Sequence, residues 1–237
     1  MEKKVLIVKN NSAEGPGILE EILISRKIPY YMIDLDQGDG FPENLSGLLA
    51  AVILGGPDSA NDSNDKMKSE LSFIQKIVSA NIPYLGICLG LQTLVKAAGG
   101  SVKVSPSKEI GFRDPDHLYY QVHLTPEGEK DPLFTGLGKA QKVFHLHGET
   151  VELNGNMILL AEGKHCRNQV VRIGRHAYGI QCHFELTSEL LDNWLNTDPD
   201  LMKLDREQVK SDFYSLQKEY RQTGKRLINN FLDIAGY

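Results

Sequence analysis

Short apolar runs alternate with amphipathic stretches over the first hundred residues. Val5-Leu6-Ile7-Val8 has no polar break and is rich in β-branched residues, the pattern of a parallel strand buried on both faces. Turn-forming residues fill 10–17. Ile18, Leu19, Ile22 and Leu23 then recur at helical spacing and predict a helix over 18–27. Residues 29–35 read as a second strand, and Ala51-Val52-Ile53-Leu54 as a third, stopped by Gly55-Gly56-Pro57. A stripe of Met67, Leu71, Ile74, Ile77 and Val78 predicts a helix over 65–80. Pro83-Tyr84-Leu85-Gly86-Ile87 is a fourth strand, followed by a helix over 89–98 that Gly99-Gly100 closes. Strands alternating with helices in this way predict a parallel sheet with right-handed crossovers.

The pattern changes between residues 102 and 181. Short strand-like runs at 118–122, 141–146, 157–161, 169–173 and 177–181 are punctuated by Gly and Asn. They predict an antiparallel or mixed extension of the same sheet. The last fifty residues are helical. Thr187 and Ser188 offer caps for 189–195, and Asp198-Pro199 places proline at a first helical position. Asp205 with Gln208 resembles a capping box, opening a helix striped by Val209, Phe213, Leu216 and Tyr220. Residues 225–234 carry Leu227, Ile228, Phe231 and Leu232 on one face. The predicted class is α/β: an open mixed, mainly parallel sheet with helices on both faces, plus C-terminal helices.

Composition narrows the function. The chain has 237 residues, 41% apolar and 24% charged, which is ordinary globular usage and argues against a disordered or fibrous chain. A net charge of −5 disfavours general nucleic-acid binding, which depends on neutralising phosphates. No long apolar run predicts a membrane span and no leader pattern is read at the N-terminus. The cysteines Cys88, Cys166 and Cys182 are odd in number and form no C-x-x-C motif. They predict a reducing, cytoplasmic setting and give no sign of a metal or redox cofactor.

The sharpest chemical feature is Leu85-Gly86-Ile87-Cys88-Leu89-Gly90-Leu91-Gln92, where a buried strand ends and a helix begins around a cysteine. Glycines two residues to either side make this a nucleophile elbow with cysteine in place of serine. It presents the thiol at the carboxyl edge of the sheet, and the free Leu89 N–H is placed to hold an oxyanion. A thiol nucleophile needs a base. In Gln181-Cys182-His183-Phe184-Glu185 a strand runs into His183, and Glu185 shares its face two residues on. Glu185 can orient one ring nitrogen of His183 while the other faces Cys88. Gly55-Gly56 ends another strand at the same edge and permits close backbone approach, with the Gly56 N–H as a second oxyanion donor.

In order and spacing these segments resemble the class I, triad-type glutamine amidotransferases. Glu109-Ile110-Gly111 and Phe144-His145-Leu146-His147-Gly148-Glu149 resemble the guanosine monophosphate synthetase-like branch. The resemblance implies a flavodoxin-like amidotransferase core over 1–186, with 187–237 as a helical extension packed on it. It also implies that Cys88 attacks the side-chain amide of glutamine, that His183 and Glu185 move and hold the proton, and that Gly56 and Leu89 form the oxyanion hole. Gln92, Leu146, His147, Gly148 and Glu149 match substrate-binding positions. No cofactor and no metal is implied.

The usual ending His-Pro-Glu is His-Phe-Glu here, which suggests that Phe184 covers the thiol or shapes the pocket. The chain has neither a G-x-x-x-x-G-K-[ST] loop nor the Ser-Gly-Gly-x-Asp-Ser loop of ammonia-using synthetases. Three functions stay open: a glutaminase subunit feeding a separate synthetase, a stand-alone hydrolase or transferase of γ-glutamyl amides, and a non-catalytic interaction protein on the same fold. The C-terminal helices are free to cap the pocket, form a homodimer or dock a synthetase.

Overall fold

The computed structural model describes residues 3–237. Its elements run β1 (Lys4–Lys9), α1 (Ile18–Ser25), β2 (Tyr30–Asp34), β3 (Leu48–Ile53), α2 (Asp65–Ser79), β4 (Tyr84–Ile87) and α3 (Leu89–Ala97). There follow β5 (Ser101–Gly111), β6 (Gln121–Leu124), β7 (Ala140–Lys142), β8 (His145–Glu152), β9 (Met157–Gly163), β10 (Asn168–Ile173) and β11 (Ala177–Ile180). The chain closes with α4 (Ser188–Thr197) and α5 (Arg206–Ile234).

Nine strands form one sheet in the order β2-β1-β3-β4-β11-β10-β9-β6-β7. From β2 to β11 neighbours are parallel; from β11 to β7 they are antiparallel. The apolar run of β1 is buried on both faces, as its pattern predicts. Val5 and Ile7 join a core with α1 and α5, whereas Leu6 and Val8 join another with α2 and α3. Helices therefore cover both faces. Among the described residues, no helix is long and apolar enough to cross a membrane.

The structure corrects several expectations. Residues 101–111, to which the sequence pattern assigns no element, form β5, which pairs with β8 in a separate antiparallel ribbon rather than extending the sheet. The single strand expected over 141–146 is two: β7 ends in the sheet and β8 begins the ribbon, with Val143 and Phe144 fully buried at the crossing. The strand expected over 118–122 is β6, shifted toward the C-terminus. The two helices expected after Asp205 are one, α5. Its Gly224 is a packing device. A Cβ there would lie 2.2 Å from the Phe184 carbonyl oxygen, so only glycine lets the helix lie against that strand end. Asp205 caps the Glu207 and Gln208 amides, but the Gln208 side chain bonds Asp212 and does not complete a capping box. Asp198-Pro199 starts only a single 3-10 turn, Leu201–Lys203.

Candidate active site

The site lies at the carboxyl edge of the parallel strands. Cys88 sits between β4 and α3 with φ 53°, ψ −105°, in backbone territory that non-glycine residues rarely occupy. The flanking glycines explain how the turn exists. A Cβ at Gly86 would stand 2.1 Å from the Gly90 carbonyl oxygen, and one at Gly90 would stand 2.3 Å from that of Ile53. The Cys88 amide bonds Ile180 O at 2.7 Å, which ties the elbow to β11. The same strand leads to His183, so one parallel pairing sets the distance between the two side chains.

His183 is anchored on all sides. Its amide donates to Phe144 O, its carbonyl accepts from the Tyr220 hydroxyl, and its ring packs edge-on against Trp194 with centroids 4.9 Å apart. Nδ1 lies 2.6 Å from Glu185 Oε1, and Glu185 Oε2 accepts from the Phe184 N–H at 2.9 Å. Nε2 is buried without a hydrogen-bond partner and lies on the Cys88 side. Burial opposes a charge on this ring, but the Glu185 carboxylate and the Cys88 sulfur outweigh it and hold His183 well above the usual histidine range. The arrangement favours an imidazolium next to sulfur, which is what a cysteine nucleophile requires.

Gly56 and Cys88 line one cavity and Leu89 follows Cys88 directly at the start of α3; neither the Gly56 nor the Leu89 amide donates a hydrogen bond among the described residues. A Cβ on Gly55 would lie 3.5 Å from both Cys88 Cβ and His183 Cε1, so the glycine run passes close over the pair. Cys88 Sγ contacts Leu146 O and Gln181 Nε2, each at 3.7 Å. Gln92 is committed to the protein, donating to Glu149 O and Gln181 Oε1 at 3.3 Å; it forms the floor of the cavity. The Glu149 carboxylate accepts from Ser59 Oγ, joining strand β8 to the loop that follows Gly55-Gly56. Leu146, His147, Gly148 and Glu149 all border the same cavity, which has a volume of about 620 Å³.

His147 also faces inward. Nε2 is 2.9 Å from Glu109 Oε2 and Nδ1 is 3.0 Å from Glu149 O. Glu109, His147 and Cys166 place one donor atom each within 4.8 Å of one another, the grouping among the described residues able to ligate a metal ion. Each is already engaged: Glu109 with His147 and Gln169, Cys166 with Thr150. The cluster is a buried polar brace beneath the cavity-lining residues of β8. Cys182 is buried, and burial pushes its thiol well up; all three cysteines are unpaired.

Phe184 does not line the cavity; its ring is buried in the core shared with α1 and α5. Its amide replaces what proline lacks, a donor that fixes the Glu185 carboxylate.

Two cavity residues escaped the sequence reading. The carboxyl of Glu14, in the loop after β1, makes no hydrogen bond or ion pair among the described residues; burial pushes it up to about 7, although the nearby His183 ring and Lys9 ease its charge. Its only signal was a position at the carboxyl end of a parallel strand. Trp194 was one more apolar residue on the α4 stripe, yet it lines the cavity against His183.

Comparison with known proteins bears on the family and the fold. The family profile "Glutamine amidotransferase class-I" matches residues 24–197. A glutamine amidotransferase-like protein of Salmonella typhimurium, YfeJ, is 33% identical over 65% of this chain and 64% of its own. The glutamine-hydrolysing GMP synthase of Porphyromonas gingivalis is 32% identical over 82% of this chain but only 30% of its own. The chain thus spans under two thirds of the one relative and under a third of the other. Crystal structures of glutamine amidotransferases from Methylobacillus flagellatus and Thermotoga maritima share the fold, each with a TM-score of 0.87 at 24% identity. They cover 99% and 98% of this chain, and 96% and 99% of their own. The chain belongs to the class-I glutamine amidotransferase family.

Proposed function

We propose that the protein cleaves the side-chain amide of glutamine, or of a γ-glutamyl amide, through a thioester on Cys88. The observation that carries this is the pairing of a cysteine at a strained strand–helix turn with a buried histidine–glutamate pair across one strand register. His183 Nε2 takes the Cys88 proton, and Glu185 steadies the resulting imidazolium through Nδ1. The thiolate attacks the γ-carbonyl carbon and a C–S bond forms. Gly56 and Leu89 N–H groups receive the charge that develops on oxygen. As the C–N bond breaks, His183 returns its proton to the leaving nitrogen, and ammonia or an amine departs. Water then gives a proton to His183 and attacks the thioester; the C–S bond breaks and glutamate leaves.

The GMP synthases that resemble this chain are longer, so a separate synthetase that accepts the ammonia is one partner consistent with the proposal. The test is steady-state hydrolysis of glutamine by the purified chain, with ammonia and glutamate measured. Glutamate should appear with wild type, vanish with Cys88→Ala, and slow by roughly 10²–10⁴ with His183→Ala. Equal rates in Cys88→Ala and wild type would refute the thioester.

A further inference from the structure

The cavity is larger than glutamine needs. A volume of about 620 Å³ falls in the range, roughly 300–1,000 Å³, of pockets that enclose ligands well beyond a single amino acid. Gln92 and the β8 residue Glu149 line one side of the cavity, where the proposed function seats the glutamyl end. The surplus space therefore lies beyond His183, toward the loop after β1 and the end of α4.

Chemistry fixes which part of a substrate occupies that space. The nitrogen that receives the His183 proton must stand at Nε2, and any substituent on it continues past the ring. Glu14 and Trp194 bound this side. The Glu14 carboxyl accepts no hydrogen bond and forms no ion pair among the described residues; His183 and, more weakly, Lys9 ease its charge from further off. Asp198 borders the same cavity and is close enough to push Glu14 further up. It spends one oxygen on the Asp200 and Leu201 amides and has no cationic partner. The cation on this wall, Lys108, is taken by Asp200. Two carboxyls with no ion-paired cation, beside an indole, make a receptor for an alkylammonium group: the carboxyls offer charge and the aromatic ring a polarisable surface.

We propose that the preferred substrates are γ-glutamyl amides whose leaving amine carries a second, cationic amine, and that Glu14 and Asp198 receive that cation. This rests on the amide-cleaving function proposed above and names its substrate class. Hydrolysis balances as before: water is consumed, the γ-carbonyl to nitrogen bond breaks, and glutamate and a diamine or polyamine are released.

The experiment compares γ-glutamylputrescine with its uncharged isostere γ-glutamylpentylamide, with glutamine run alongside. The two amides differ at the terminal group alone, so the ratio of their kcat/KM values isolates the charge and is internally controlled for each variant. Wild type should favour the putrescine conjugate by tenfold or more. Glu14→Gln should bring the ratio close to one, and Asp198→Asn should lower it severalfold. Salt should erode the preference in wild type more than in Glu14→Gln. A wild-type ratio at or below one, with both amides and glutamine hydrolysed, would overturn the substrate class and leave amide cleavage standing. A tenfold ratio unchanged in Glu14→Gln would remove Glu14 from the role. No turnover of any of the three would overturn both proposals together.

Discussion

Glu70 tests the electrostatic side of this fold quantitatively. It lies on α2 with no exposed surface, and neither carboxyl oxygen has a hydrogen-bond partner. Burial lifts its pKa from 4.5 to about 7, with Thr93, Asn10 and Lys66 offsetting part of the effect. A carboxyl whose folded pKa is raised weakens the fold as pH climbs. The penalty is absent below the unfolded value, grows between 4.5 and about 7, and is constant above. At about 1.4 kcal/mol for each pH unit, the gap between 4.5 and about 7 amounts to about 3 kcal/mol. Glu70→Gln keeps the shape and removes the charge. Relative to wild type it should gain about 1 kcal/mol at pH 5 and about 3 kcal/mol at pH 8 from this source. Burying the amide has its own cost, but that cost does not depend on pH and cancels in the difference of about 2 kcal/mol. The sequence holds a single tryptophan, the buried Trp194, so urea unfolding can be followed by its fluorescence at both pH values. A gain equal at the two pH values, or larger at pH 5, would refute the assignment of a buried, weakly compensated carboxyl.

Other substitutions test the packing around the site. Gly224→Ala should destabilise by about 1–3 kcal/mol in urea unfolding although alanine is the better helix former, because its Cβ would lie 2.2 Å from Phe184 O; a stabilised variant would contradict this contact. Gly86→Ala leaves Cys88 in place yet should abolish glutamine turnover, since the elbow cannot close over a Cβ that would lie 2.1 Å from Gly90 O. Retained activity there would mean that the turn tolerates rearrangement. Tyr220→Phe removes the donor to His183 O and should lower stability by about 1 kcal/mol, with a fall in kcat larger than any change in KM for glutamine; a change confined to KM would place Tyr220 in substrate binding instead.

Much of this arrangement was legible in the chain because it depends on local patterns. The Val5–Val8 run, the glycines around Cys88 and the two-residue spacing of His183 and Glu185 each carry their geometry in a few adjacent residues. What stayed hidden depends on contacts between distant segments. The ribbon of β5 and β8 has mixed polar and apolar positions because only one of its faces is buried, so residues 101–111 show no clean strand period. The role of Gly224 shows only once Phe184 O is seen against it. Glu14 carries no motif; its isolation follows from the folding of the loop after β1 against the end of β11, where the Ile18 amide bonds Glu185 O. Phe184 was read as a pocket residue because proline in relatives drew attention to its side chain, whereas its contribution to the site is a backbone N–H.

The central claim is that Cys88 is the nucleophile activated by His183. Its most direct test is covalent labelling by a glutamine-mimicking diazoketone, followed by intact-mass measurement and peptide mapping. One adduct per chain on Cys88 is expected, blocked by excess glutamine, absent in Cys88→Ala and slowed in His183→Ala, with buried Cys166 and Cys182 unmodified. No adduct on Cys88, or labelling at Cys88 as fast in His183→Ala as in wild type, would contradict it.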